Sequence, residues 1–119
     1  ISDAKWIIEN IKDYKVELPI AFDWENWGSF NTYELSFFGL TNMAKRFMDT
    51  VKSAGYDAML YSSKTYLENI WMSVDYPVWL AHYTKNTNYA GDYSYWQICS
   101  NGRVDGINGD VDIDIRYID

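Results

Sequence analysis

The stretch PIAFDWENW, residues 19–27, decides how this chain is read. It is apolar from Pro19 to Phe22 and then sets two carboxylates, Asp23 and Glu25, one residue apart. Side chains alternate faces along a strand, so Asp23 and Glu25 point the same way with Cα atoms ~6.6 Å apart, while Trp24 points the other way. An unbroken apolar run marks a strand covered on both faces, as in a parallel sheet. Ending such a strand with two like charges costs stability unless the acids are solvated, paired or put to use.

Working outward, Ala4, Ile7, Ile8 and Ile11 recur at helical spacing behind Ser2 as N-cap, which predicts a helix over 2–13. Residues 26–40 have no period and carry Gly, Asn and Ser, the composition of a long loop, and long loops after strands are where sites are built. From Thr41 as N-cap, Ala44, Phe47, Met48 and Val51 mark a second helix that ends with Gly55 at C′. YDAMLYSS (56–63) reads as a strand, and 63–72 as a short helix that Pro77 keeps from continuing. VWLAHY (78–83), SYWQICS (94–100) and VDIDIRYI (111–118) are the remaining strands, separated by turn-rich 86–93 and 101–110. Strands alternating with helices predict an α/β fold of parallel βα units with five strands. Without a repeat, low-complexity tract or linker, residues 1–119 form a single domain.

Composition excludes several functions. A chain of 119 residues with 48% apolar residues can bury a core. Its formal charge of −7, with no Lys/Arg cluster denser than MAKRF (43–47), leaves nothing to neutralise a phosphate backbone, so nucleic acid is no partner. One cysteine, Cys99, and one histidine, His82, give no metal-ligand spacing, so no metal or other cofactor is expected. No apolar run approaches the ~20 residues of a membrane span, and the first residues lack a signal-peptide pattern, so no membrane role is expected. The opening inside an amphipathic helix reads as a piece of something longer. Aromatic residues are 18% of the chain, with six Trp and eleven Tyr, more than packing calls for, so some of them face a ligand.

In parallel α/β architectures sites gather at the C-terminal ends of strands. That rule collects Asp23 and Glu25, Tyr61, Tyr83, Gln97, and Asp112 and Asp114. Acids, aromatics and an amide are the inventory of a sugar-cleaving site, where a carboxylic acid protonates the leaving oxygen and aromatic faces stack on sugar rings. An acidic pair taken alone reads more readily as a solvated or salt-bridged strand end than as a catalytic pair. His82 shares a face with Val78 and Leu80 and is expected to be a hydrogen-bonded packing histidine. Trp6, Trp71 and Met72 are expected to be core or covering residues, Cys99 a small buried hydrophobe, and Asp105 and Asp110 turn residues.

The motifs PIAFDWENW, AGYDAMLYSSKTYL (54–67), VWLAHY and YWQICSNGRVDGINGDVDIDI (95–115), in this order and spacing, resemble glycoside hydrolase family 25, muramidases that cleave peptidoglycan between N-acetylmuramic acid and N-acetylglucosamine. The resemblance implies a parallel-strand-rich, irregular (β/α) barrel of the TIM-like type with its site at the C-terminal mouth. By motif, Glu25 matches the family's proton donor, Asp23 its acidic neighbour and Asp112 a further active-site carboxylate. Tyr61, Trp79, Tyr83 and Gln97 match positions lining the sugar groove, and Trp27 is an extra sugar-facing aromatic. The resemblance also implies hydrolysis with retention, peptidoglycan glycan strands as partner and an extracellular or cell-wall-directed protein. It leaves open whether the nucleophile is a carboxylate or the substrate's acetamido oxygen. Family members open with a strand carrying D-V-S and two further strands before the D-x-E strand, so this chain lacks the first three strands. Three readings follow: a hydrolase piece, a non-catalytic glycan-binding module, and an inactive half-barrel that self-associates through its open sheet edges.

Overall fold

The computed structural model describes residues 2–24 and 36–118. Helix α1 (Ser2–Ile11) buries Ala4 completely and leans Ile7 on the core. Trp6 departs from its expected covering role: it is 68% exposed, because two residues along a helix from Ala4 it falls off the narrow apolar stripe. Strand β1 (Ile20–Asp23) follows. Glu25, Trp27 and most of the loop expected over 26–40 lie outside the described residues.

Helix α2 (Phe37–Ser53) starts earlier than its period suggests. Ser36 is the N-cap, its side chain accepting the Gly39 N–H at 2.9 Å, while Thr41 is buried inside the helix and its Oγ1 accepts the Met72 N–H. Gly55 takes the C′ position at φ 98°, where a side chain would be strained, and its N–H donates to the Lys52 carbonyl at 3.0 Å. Strand β2 (Ala58–Ser63) runs directly into the short helix α3 (Lys64–Asn69), which Ser63 caps. Because α3 stops at Asn69, Met72 lies beyond it and is exposed rather than covering.

Strands β3 (Val78–Ala81), β4 (Tyr95–Gly102) and β5 (Val111–Arg116) complete a five-stranded sheet in the order β1-β2-β3-β4-β5. β1 to β4 are parallel and β5 returns antiparallel to β4. The order is sequential, unlike a doubly wound sheet, whose order reverses at a switch point.

One sheet face carries the core. Ala58 and Leu60 of β2 meet Ala4 of α1 and Ala44, Phe47, Met48 and Val51 of α2, with Ile20, Phe22, Leu67 and Trp71 packed around them. Phe22 lies edge-on to Phe47 at 5.3 Å and to Trp71 at 6.1 Å, so Trp71 is a covering residue as expected. Leu60 and Met48 are fully buried, each contributing about 1.5–3 kcal/mol by removal from water. The described helices pack on this face, and the side chains of the opposite face remain for other use. Among the described residues no helix is long and apolar enough to cross a membrane.

Candidate active site

The alternation of the strands builds the helix-free face. Asp23, Tyr61, Trp79 and Tyr95 form one row across β1 to β4, each in register with the next, and Arg116 of β5 closes it. The next row toward the C-terminal ends of the parallel strands is Ser63, Ala81, Gln97 and Asp114. Tyr61 packs edge-on against Trp79 with ring centroids 4.6 Å apart, Trp79 lies 6.4 Å from Tyr95, and the Arg116 guanidinium sits 5.9 Å from the Tyr95 ring centre. The Trp79 indole N–H donates to Asp114 Oδ1 at 2.7 Å, which fixes the plane of the ring. Toward the N-terminal ends of the strands the same face forms a concavity of about 400 Å³ floored by Met59, Trp79 and Tyr95.

Gln97 is the hub of the row above. Its Oε1 accepts the Tyr61 hydroxyl at 2.6 Å and the Tyr83 hydroxyl at 2.7 Å, and its Nε2 donates to Asp112 Oδ2 at 3.1 Å. Tyr61 reaches it from β2 across Ala81, whose methyl group leaves the path open. Asp112 shares a face with Asp114, which Gln97 opposes, because the two lie two residues apart on β5. Beside them the β4–β5 pairing shifts: Gln97 faces Asp114 but Cys99 faces Ile113, so β4 carries an extra residue there. Such a bulge bends the strand and re-aims its side chains.

Of the residues singled out from sequence, Tyr61, Tyr83, Gln97 and Asp112 are joined by hydrogen bonds, and Trp79 stands beside Tyr61. Asp23 is exposed at the end of β1, in register with Tyr61. Gln97 is 3% exposed, with both amide ends engaged, so it supports the groove wall from behind. Glu25 and Trp27 lie outside the described residues. Tyr95 and Arg116 were not anticipated, although the two-residue spacing of Tyr95 from Gln97, and of Arg116 from Asp114, places them on this face. His82 has the packing role expected of it, with Nδ1 2.8 Å from Thr87 Oγ1 and its carbonyl accepting the Trp96 indole N–H at 2.9 Å. Among the described residues no cluster of His, Cys, Asp and Glu could hold a metal ion. A row of aromatic faces beside carboxylates suits stacking of sugar rings and stabilisation of developing positive charge.

The family described as glycosyl hydrolases family 25 matches residues 1–107 of the chain. Uncharacterized protein YegX of Escherichia coli (strain K12) is 26% identical over 116 residues, covering 94% of this chain and 41% of that protein. YegX of Escherichia coli O157:H7 matches to the same extent. The chain therefore spans about two-fifths of the length of these curated relatives. Among solved structures, the CTP1L endolysin superposes with a TM-score of 0.72 at 18% identity, over 97% of this chain and 40% of that one. The bacterial lysozyme from Streptomyces coelicolor does so with a TM-score of 0.59 at 23% identity, over 71% of this chain and 43% of that one. At these identities the two structures speak for the fold, while the family match over residues 1–107 speaks for descent: the chain belongs to glycosyl hydrolases family 25.

Proposed function

We propose that this chain is part of a peptidoglycan hydrolase, a muramidase that cleaves the β-1,4 bond between N-acetylmuramic acid and N-acetylglucosamine with retention. The observation that carries the reading is the join of Tyr61, Tyr83, Gln97 and Asp112 on the helix-free face of a family 25 chain. In this reading Glu25 protonates the leaving oxygen, and Asp23 and Asp112 stabilise the positive charge that develops on the sugar ring. Trp27, Tyr61, Trp79 and Tyr83 line the groove. Retention through an enzyme carboxylate calls for carboxyls ~5–5.5 Å apart, whereas an acetamido nucleophile removes that requirement. The sequential strand order and one-sided helices fit part of a TIM-like (β/α) barrel, with further strands continuing the sheet beyond β1. The substrate, the glycan strand of a cell wall, places the site of action outside the cell membrane.

The test is release of reducing sugar from purified peptidoglycan by the chain and by Glu25→Gln. Release that the substitution abolishes supports the assignment, and release that it leaves intact removes Glu25 from the chemistry. The tier of Tyr61, Trp79 and Tyr95 favours one other reading, a glycan-binding module that stacks on sugars without cleaving them. Retention of the folded chain on walls with no sugar released identifies that module.

A further inference from the structure

We propose that Gln97 is a positioning residue that sets the hydrogen-bond polarity of the groove. It holds Asp112 as an acceptor and turns the Tyr83 hydroxyl into an acceptor, so that the groove there takes a ligand group carrying an N–H or O–H donor. The ligand class, a sugar bearing hydroxyl and acetamido groups, rests on the function proposed above; the polarity of the hub does not.

The order of cause starts at Asp112. A carboxylate has lone pairs and no proton to give, so the Gln97 atom 3.1 Å from Asp112 Oδ2 is the NH₂ group. That choice leaves Oε1 for the tyrosines. A carbonyl oxygen only accepts, so both hydroxyls rotate to aim their protons at it, at 2.6 Å from Tyr61 and 2.7 Å from Tyr83. Two phenols fill the two lone pairs of Oε1, and at 3% exposure the amide depends on these partners for its polar groups. One carboxylate thus fixes the amide, and the amide fixes two hydroxyl rotors, one on β2 and one just past the end of β3.

The consequence appears at Tyr83, a residue 56% exposed whose hydroxyl meets Gln97 in a part-buried bond. Its single proton is turned inward, so its oxygen offers a ligand only lone pairs. An acetamido N–H or a sugar hydroxyl satisfies that oxygen, whereas a carbonyl or an anion meets it acceptor to acceptor. Gln97 is buried, and it decides which polarity of ligand group its exposed neighbour accepts.

The sequence provides a clean probe, because Gln97 is its only glutamine. Side-chain ¹⁵N labelling of glutamine gives one amide pair in the spectrum of the full chain. The expected result is exchange with water slower than in free glutamine by about tenfold or more, and a shift of the pair in Tyr83→Phe and in Asp112→Ala. Adding tri-N-acetylchitotriose is expected to move the pair further, and Tyr83→Phe and Gln97→Met each to weaken binding of that oligosaccharide about tenfold, the effect of roughly one hydrogen bond. An amide pair that exchanges as fast as free glutamine overturns the hub, and needs no variant to fold. A protected pair with unchanged oligosaccharide affinity in both variants overturns the positioning role. A protected pair in a chain that binds no oligosaccharide overturns the donor selection together with the proposed function, and leaves the hub standing.

Discussion

Tyr76 lies away from the groove and donates its hydroxyl to Asp49. Burial first, then that hydrogen bond and the charges of Asp49 and Asp75, push its phenol up to about 12. A raised value in the folded chain means that this stabilisation is complete below the unfolded value of about 10 and is lost as pH climbs from there to about 12. The urea midpoint of the parent is therefore expected to fall more steeply than that of Tyr76→Phe across this window; parallel curves would remove Tyr76 from the alkaline transition. At Gly102 a Cβ would run into the Ile113 side chain and lie 3.1 Å from the Val111 carbonyl, at a site where the strands are already offset. Gly102→Ala is expected to cost about 1–3 kcal/mol by overpacking, read by urea denaturation. Single residues were legible in sequence where motif and strand alternation agreed, as at Tyr61 and Asp112. The tie from Trp79 to Asp114 was not, because it joins positions 35 residues apart through a hydrogen bond that no local pattern encodes.

Ala81 shows how an element positions a side chain that it does not carry. It lies between Ser63 and Gln97 in the row that Tyr61 crosses, so Ala81→Leu is expected to break the Tyr61–Gln97 bond and cost about 1–3 kcal/mol. Urea denaturation checks the loss, and a shifted Gln97 amide pair checks its cause. The start of α2 was misread for a related reason. Phe37 and Phe38 are large and exposed in its first turn, which spoils the apolar period, and Gly39 resembles a loop residue, so Thr41 looked like the cap that Ser36 provides. Gly55 at the other end was legible, since a left-handed C′ position has a strong residue preference. The direction of β5 is not encoded in its alternation, which marks only a strand with one apolar face. The connection carried the signal: residues 103–110 are too few for the dozen or more that a parallel crossover requires.

At the scale of the whole chain, the net charge of −7 opposes approach to the anionic wall polymers that the proposed function implies. Binding to purified walls is expected to strengthen as salt rises toward ~0.1 M, where the Debye length falls to ~10 Å; a steady decline from low salt would show that contacts with cations dominate. The order of helices and strands was legible throughout, because periods of 3.6 and 2 residues are local properties. The bulge in β4 and the Gln97 hub were not, since one depends on how two strands slide past each other and the other on side chains from three separate parts of the chain. The antiparallel return of β5 has a practical consequence. From Asp112 the chain runs back to Tyr117, whose N–H donates to the carbonyl of Ser94 just before β4 begins. Residues 117 and 118 thus lie at the end of the sheet opposite Asp112, about 20 Å along the strand, and a tether fused after residue 119 starts one residue beyond them. A chain immobilised on a bead or sensor by that tether turns its groove toward the solution.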